Sequence, residues 1–233
     1  EPIQDLQTLG TIPDPLEQPN QPVQRGQFAR WLVETNNKLF ADQPGRKLRR
    51  PAPDSAPLFS DVPATQPDFA PIQALAEAGI IPSRLSGNVD AGRFQPDKPL
   101  TRADLLLWKL PLDLRQPLPK ADTAQVEQSL GLQDAASIPP RVQRALLADG
   151  QNGDQGILRR CFGFTTLFQP NRPVTRAEAA TALWYFGYQG DGRSAKAATR
   201  PQPTPTPTPT PTPAPTKPTA PAGTASTMAS PCN

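Results

Sequence analysis

The chain has 233 residues, among them 33 Pro, 15 Gly and no His, and its formal net charge is +3. The absence of histidine excludes imidazole-dependent hydrolase relays and metal sites that need an imidazole ligand. The two cysteines, Cys161 and Cys232, are too few for a Cys-rich metal site or a disulfide scaffold, and they leave the redox compartment open. No run approaches 18 apolar residues, so no transmembrane segment is expected.

An internal repeat organises the first four fifths of the chain. The pattern Gln-Pro-[Asn/Asp]-x-Pro-[Val/Leu]-x-Arg-[Ala/Gly] begins at Gln18, Gln95 and Gln169, with spacings of 77 and then 74 residues. An apolar block precedes it and ends at Gly79 in the second unit, where glycine suits a left-handed helix cap. A looser copy ends near Gly150 in the third unit. Two blocks recurring in one order predict three units, each built as helix, loop, turn and helix.

The second helix of each unit has a distinctive start. Thr101 with Asp104, and Thr175 with Glu178, have the spacing of a capping box, in which a hydroxyl and a carboxylate satisfy the amides of the first turn. The first unit has Gln24 at the hydroxyl position, so its helix start should be less firmly capped.

These patterns predict an all-α fold over residues 1–188. Helices of about 10 to 15 residues are marginal alone, so three units should share one core around an approximate threefold axis. The units are expected at 1–56, with an incomplete start, at 57–129 and at 130–188. From residue 189 the apolar pattern stops, and eleven of the 33 prolines fall in 201–233. This composition predicts a disordered Pro/Thr-rich tail or linker over 189–233.

Three motifs are distinctive: Phe-Ser-Asp-Val at 59–62, a glycine-bearing loop at Gly87 and Asn88, and Thr-Arg-Ala-Glu at 175–178. Together they resemble the bacterial S-layer homology domain. The first unit departs most, because it lacks the opening motif and has Gln-Arg-Gly-Gln at 24–27. The resemblance covers residues 1–188.

The resemblance implies a central three-helix bundle and a protein that is held non-covalently on the cell wall. Members of this family bind polysaccharide attached to peptidoglycan, often carrying ketal-linked pyruvate, in grooves between units, and the motif arginine contacts the ligand. The glycan-binding residues predicted in this chain are the motif arginines, the acidic motif residues and the loop pair: Arg25, Arg102, Arg176, Asp104, Glu178, Gly87 and Asn88.

The position of the arginines is compatible with that role. An arginine beside the free amides of a helix start forms an anion site that suits bidentate capture of a carboxylate. Arg25 should contribute least, because its own unit lacks an acidic residue at the end of the motif. Trp31 and Trp108 share one repeat position, and their helical spacing favours core packing over stacking on sugar.

Other charged segments are not assigned a ligand. Two short basic runs, at 46–50 and at Arg159 and Arg160, lack interleaved aromatic residues and do not favour nucleic-acid binding. The segment 149–154 is similar to a calcium loop but lacks the closing Glu, so a plain turn is expected there. No metal and no cofactor is predicted.

Three functions are compatible with the sequence. The favoured one is a non-enzymatic wall-glycan anchor in the cell envelope, in an exported protein whose chain begins at Glu1 after removal of a leader or trimming. The second is a carboxylate-pair glycosidase with wall-binding repeats. The third is a scaffold whose tail recruits a proline-binding partner. The repeats use nearly all foldable sequence, so no catalytic residue is predicted, and the oligomeric state stays open.

Overall fold

Nine α-helices and one small sheet lie in residues 1–52, 54–87 and 91–200, the part of the chain that the computed structural model describes. The helices are α1 (Pro2–Thr8), α2 (Arg25–Leu39), α3 (Phe69–Glu77), α4 (Arg102–Leu114), α5 (Thr123–Leu130), α6 (Pro140–Gly150), α7 (Ile157–Phe162), α8 (Arg176–Leu183) and α9 (Ala195–Thr199). Strands β1 (Tyr185–Tyr188) and β2 (Asp191–Ser194) pair antiparallel as a hairpin. The described residues are therefore predominantly helical, but the all-α prediction is wrong for residues 185–194, which form the hairpin. The Pro-Thr segment at 201–233 lies outside the described residues.

The predicted capping boxes are confirmed. Before α4, the Thr101 hydroxyl accepts a hydrogen bond from the Asp104 N–H at 3.1 Å, and the Asp104 carboxylate accepts from the Thr101 N–H at 3.5 Å. Thr175 and Glu178 form the same pair before α8, at 3.1 and 2.8 Å. Gln24, which precedes α2, makes no capping side-chain bond within the described part of the chain, as its residue type predicts.

Thr101→Ala is expected to lower the free energy of unfolding by about 1 kcal/mol, because the first-turn amide of Asp104 loses its acceptor. Denaturant titration followed by circular dichroism measures this loss. Gln24→Ala is the matched control, since Gln24 holds the equivalent position without a capping bond, and it should leave the midpoint unchanged. Equal effects of the two substitutions would show that the capping box does not stabilise α4.

Two aromatic residues at equivalent repeat positions pack in the core. Trp31 and Trp108 are both buried. The ring of Trp108 lies 6.1 Å from that of Phe28 on α2 and 5.6 Å from that of Phe94 in the loop before α4. The prediction of core packing for these tryptophans is confirmed, and the contacts join the first unit to the second.

The segment that follows α8 differs from the prediction. The tail was expected to begin at residue 189, but β2 and α9 lie beyond that point, so regular structure continues to Thr199. Phe186 in β1 is buried in the core. Long-range ion pairs then join the hairpin to the loop after α2, one between Arg193 and Asp42 and one between Arg46 and Asp191. Because ion pairs and not apolar contacts join β2 to the loop after α2, the pattern of apolar residues does not predict this strand.

A buried ion pair links α4 to the hairpin. Lys109 Nζ lies 2.5 Å from the Asp113 carboxylate one turn later, with side chains 0% and 3% exposed. The Gly187 N–H donates to the same carboxylate at 3.0 Å, and the Phe186 ring lies 3.8 Å from the ammonium. Burial lowers the pKa of Lys109 to about 8 and raises that of Asp113, while their mutual attraction opposes both shifts. The contacts of the pair with Gly187 and Phe186 fix the start of the hairpin.

Candidate functional site

The loops that carry the repeat motif are joined in a closed ring of backbone hydrogen bonds. The Val23 N–H donates to the Val174 carbonyl at 2.9 Å, the Leu100 N–H donates to the Val23 carbonyl at 2.8 Å, and the Val174 N–H donates to the Leu100 carbonyl at 2.9 Å. Each unit therefore gives one bond and receives one. The ring brings the N-termini of α2, α4 and α8 together, and with them the motif arginines at their first positions.

Each motif arginine makes the same contacts with the following unit. Its backbone N–H donates to a carbonyl in the neighbouring turn, and its guanidinium donates to a second carbonyl just before that turn. The guanidinium bonds run from Arg25 to Phe94 at 3.0 Å, from Arg102 to Phe168 at 3.0 Å, and from Arg176 to Glu17 at 2.8 Å. The backbone bonds run from Arg25 to Lys98, from Arg102 to Arg172 and from Arg176 to Gln21. The arginines therefore connect the units in cyclic order.

The acidic residue of the motif pairs with the arginine of the preceding unit. Asp104 accepts from Arg25 at 2.6 Å, and Glu178 lies 3.8 Å from Arg102. The partner of Arg25 was expected within its own unit, whereas the structure supplies it from the next one. The position that corresponds to Asp104 and Glu178 in the first unit is Gln27, an uncharged amide. Arg176 consequently forms no ion pair among the described residues.

The three arginines differ in burial as well as in charge. Arg102 is 5% exposed and its guanidinium lies 3.9 Å from the Phe162 ring, and burial lowers its pKa. The Arg25 side chain is 21% exposed and lies against the rings of Phe94 and Trp108. Arg176 is half-buried. Of the three, Arg176 alone combines partial exposure with the lack of a carboxylate in the described part of the chain.

Two aspartates shape the turns that receive these arginines. The Asp61 carboxylate accepts from the N–H groups of Phe94 and Gln95, both at 2.8 Å. Asp134 does the same for Phe168 and Gln169 at 2.9 and 2.7 Å. Asp61 belongs to the Phe-Ser-Asp-Val motif, but the sequence alone did not predict these contacts. Its spacing before the Phe-Gln-Pro motif is the signal that could have revealed the pair.

The glutamine that opens each turn has an unusual backbone. Gln18, Gln95 and Gln169 have φ values of 48°, 60° and 53°, in the left-handed region that few non-glycine residues adopt. The fixed proline that follows each glutamine and the aspartate bonds of the second and third units hold this conformation. The strain orients the preceding carbonyl, of Phe94 or Phe168, toward an arginine.

The predicted loop pair lies apart from the motif arginines along the chain. Gly87 is exposed and has φ of 78°, and it ends the short 3-10 helix Arg84–Ser86. Asn88 lies outside the described residues. Of the predicted site residues, the structure brings together Arg25 with Asp104 and Arg102 with Glu178. Within the described part of the chain, Gly87 forms no hydrogen bond with any of these four residues.

The acidic segment at 149–154 has a structural use. Asp149 is buried, and its two carboxylate oxygens accept from the N–H groups of Ile157 and Leu158 at 2.7 and 2.8 Å, which caps α7. Burial raises the pKa of Asp149 to about 6 against the effect of these bonds. No cluster of three or more His, Cys, Asp or Glu side chains that could hold a metal lies in residues 1–52, 54–87 and 91–200.

The basic run at 46–50 also has structural contacts. The Arg46 and Arg115 guanidiniums lie 5.1 and 5.3 Å from the centre of the Phe40 ring, and the Arg46 carbonyl accepts a hydrogen bond from Asn36 at 3.0 Å. The run therefore fixes the loop after α2 against the core. Within the described residues, no helix is long and apolar enough to cross a membrane.

Comparison with protein families identifies the repeats. The model of the S-layer homology domain matches residues 58–106 and 163–180. These residues include the turns that begin at Gln95 and Gln169, the motif arginines Arg102 and Arg176, and the first part of α8. A comparison with curated proteins finds no match. S-layer homology domains are binding modules that anchor proteins in the cell envelope and are not catalytic. Residues 58–106 and 163–180 are therefore similar to the S-layer homology domain, which is consistent with divergent or truncated repeats of that kind.

Proposed function

We propose that this chain holds an exported protein on the cell wall by non-covalent binding of an anionic polysaccharide linked to peptidoglycan. The S-layer homology match supports this function, because such domains are envelope anchors. The observation that carries the choice of ligand is the guanidinium of Arg176. It faces the first unit without a carboxylate in the described residues, whereas Arg25 and Arg102 each have one.

The arrangement of the units supports a groove at this place. We define the third-to-first interface as the contact of Arg176 with Glu17 and Gln21. Together with the ring of backbone bonds, the cyclic arginine contacts favour three units around a pseudo-threefold axis, with α2, α4 and α8 as the central bundle. At the other two interfaces a protein carboxylate pairs with the motif arginine. At the third-to-first interface a carboxylate of the ligand would take that place beside Arg176.

The free donors of Arg176 favour a carboxylate as the ligand group. One terminal nitrogen of Arg176 donates to the Glu17 carbonyl, and the second terminal nitrogen has no partner within the described part of the chain. Nε is buried without a partner, as is Nε of Arg102. A planar guanidinium binds a planar carboxylate through two parallel hydrogen bonds, a geometry that an ammonium cannot reproduce. A ketal-linked pyruvate on the polysaccharide would present such a group outside the sugar ring.

The remaining predicted contacts take different parts in this proposal. Asp104 and Glu178 neutralise Arg25 and Arg102 and hold the units together, so they act on binding through the shape of the grooves. Gly87 and Asn88 stay predicted ligand contacts of the second unit. A non-enzymatic role is favoured because the carboxylates near the motif are used in caps and ion pairs, which leaves them unsuited to acid-base work on a glycosidic bond.

A pull-down on purified wall sacculi tests the function. The protein should sediment with untreated sacculi and stay in the supernatant after chemical removal of the wall polymer. Released reducing sugar, measured in the same samples, should not exceed the buffer blank. Sedimentation with polymer-free peptidoglycan alone, or steady release of sugar, would contradict the proposal.

A tail truncation separates anchoring from recruitment. A chain that ends at residue 200 should bind sacculi as tightly as the full chain, because every contact in the proposal lies in residues 1–200. Loss of binding on truncation would show that the Pro-Thr segment takes part in wall attachment.

A further inference from the structure

A second surface, almost all of it within the third unit, has the features of a sugar-binding cleft. The Phe164 cleft is defined by the end of α5, the turn after α6, α7 and the loop that follows α7. It has a volume of about 360 Å³, and the residues that line it include Gly131, Asp154, Arg159, Gly163, Phe164 and Thr166. Arg159 belongs to the basic pair at 159–160, for which the sequence predicted no ligand.

Phe164 is a large apolar side chain held in solvent. It is 91% exposed, and the Arg159 guanidinium lies 3.6 Å from the centre of its ring. Such an arrangement covers one face of the ring with a cation and leaves the opposite face free. At the edge of a cleft, this free face is accessible to a ligand that enters the cleft.

The loop that carries Phe164 is held in place by the surrounding structure. Gly163 ends α7 with φ of 67° and ψ of −148°, a conformation open to glycine, and it turns the chain into the cleft. The Thr166 carbonyl accepts from the Gln133 N–H at 2.8 Å, and the Thr165 hydroxyl bonds both backbone groups of Leu167. The loop that carries Phe164 is therefore preorganised, which limits the conformational entropy lost when a ligand binds.

Helix α7, on the other side of the Phe164 cleft, is also held in place. Arg160 donates to the Gln155 carbonyl at 2.9 Å and to the Thr181 carbonyl at 2.7 Å, which ties α7 to the turn before it and to α8. Arg160 is thus a structural residue, whereas its neighbour Arg159 is exposed and free to meet a ligand. Asp154, also exposed, adds an acceptor on the rim.

We propose that the Phe164 cleft binds a pyranose ring of the wall polysaccharide, as a second contact in addition to the Arg176 groove. A pyranose has a face of C–H groups that stacks on an aromatic ring and a rim of hydroxyls that both donate and accept hydrogen bonds. Phe164 offers the face, while Arg159, Asp154 and Thr166 offer donors and acceptors around it. Glycine, threonine and charged residues line the cleft together with Leu130 and Leu158, so polar groups for sugar hydroxyls lie beside the apolar surface.

This inference rests on the proposed function, since it assigns a second part of the same ligand. It also explains how one chain can bind a polymer at two points, which raises avidity without a tight contact at either point. The two sites use different chemistry, because Arg176 recognises an anionic substituent and the Phe164 cleft recognises the sugar ring itself.

Titration with simple sugars tests the cleft independently of the wall. N-acetylglucosamine, N-acetylmannosamine and glucose are added separately at millimolar concentration to the full chain labelled with ¹⁵N. At least one of them should shift the amide resonances of Gly163, Thr165 and Thr166. The shifts should vanish in Phe164→Ala and persist in Phe164→Tyr, which keeps the aromatic face. Absence of shifts with all three sugars, or equal shifts in Phe164→Ala, would overturn the proposal.

Binding to sacculi provides the second readout. Phe164→Ala and Arg159→Ala should each weaken binding roughly three- to tenfold, the range of one aromatic or cation–π contact. Arg141→Ala removes an exposed cation from α6 outside the cleft and is the matched control, with no change expected. If wild type binds sacculi and Phe164→Ala binds equally well, the cleft assignment fails and the anchoring function stands. If wild type does not bind sacculi at all, the anchoring function fails.

Discussion

Replacing Lys109 by Met is expected to lower the free energy of unfolding by about 3 to 5 kcal/mol, because the substitution leaves the Asp113 carboxylate buried without its counter-charge. Lys109 is fully buried on α4 against Phe186, so water cannot replace the lost partner. Denaturant unfolding at neutral pH measures the change. Because the pair holds the hairpin through the Gly187 N–H, the hairpin amides should also lose protection from hydrogen exchange.

The double variant Lys109→Met, Asp113→Asn tests the cause. It removes both charges and keeps an oxygen that can accept from Gly187, so it should cost less than Lys109→Met alone. A double variant that is less stable than the single one would show that the loss comes from packing around Lys109 and not from an unpaired charge.

Arg176→Gln is expected to weaken binding to sacculi at least tenfold and to lower the melting temperature less than Arg102→Gln does. Loss of one charge-assisted hydrogen bond costs about 1.5 to 3 kcal/mol, and about 1.4 kcal/mol is a factor of ten in affinity. Within the described residues the Arg176 guanidinium holds one exposed backbone carbonyl and no carboxylate, so the fold depends little on its charge. Sedimentation of labelled protein with a dilution series of sacculi measures the affinity.

The same substitution in the second unit should have the opposite outcome. Arg102→Gln removes a buried guanidinium that bonds the Phe168 carbonyl and lies near Glu178, so it should lower stability by about 1.5 to 3 kcal/mol. Its effect on binding should follow from that loss alone. If Arg102→Gln abolished binding without a change in stability, while Arg176→Gln bound normally, the assignment of roles to the two arginines would be reversed.

Local features of the fold could be predicted from the sequence. The capping boxes at Thr101 and Thr175 depend on residues three positions apart, and the end of α3 near Gly79 depends on one glycine, whose φ is 70°. The burial of Trp31 and Trp108 follows from helical spacing within one segment. In each case the residues that decide the structure are neighbours in the chain.

Long-range contacts could not be predicted in this way. The partner of Arg25 is Asp104, 79 residues later, and a repeat pattern alone does not say whether such a pair forms within a unit or between units. The hairpin after α8 has a polar second strand, and its position depends on ion pairs of Arg193 with Asp42 and of Asp191 with Arg46. The sequence contains no pattern that pairs these residues, because they lie about 150 residues apart in the chain.

Gln27→Glu tests the central claim most directly. The substitution gives the first unit the acidic residue that the other two units have, and it should place a carboxylate against Arg176 at the third-to-first interface. Two Arg-carboxylate pairs already exist at the equivalent positions, so the fold should accept the change and melt at the same temperature or higher.

The decisive quantity is the affinity of Gln27→Glu for untreated sacculi, measured beside wild type and Gln27→Ala. If Arg176 is the anion contact, the new carboxylate competes with the ligand, and affinity should fall at least tenfold in Gln27→Glu while Gln27→Ala binds as wild type does. Wild-type affinity in a stable Gln27→Glu protein would contradict the account, because the ligand would then be bound without the free charge of Arg176.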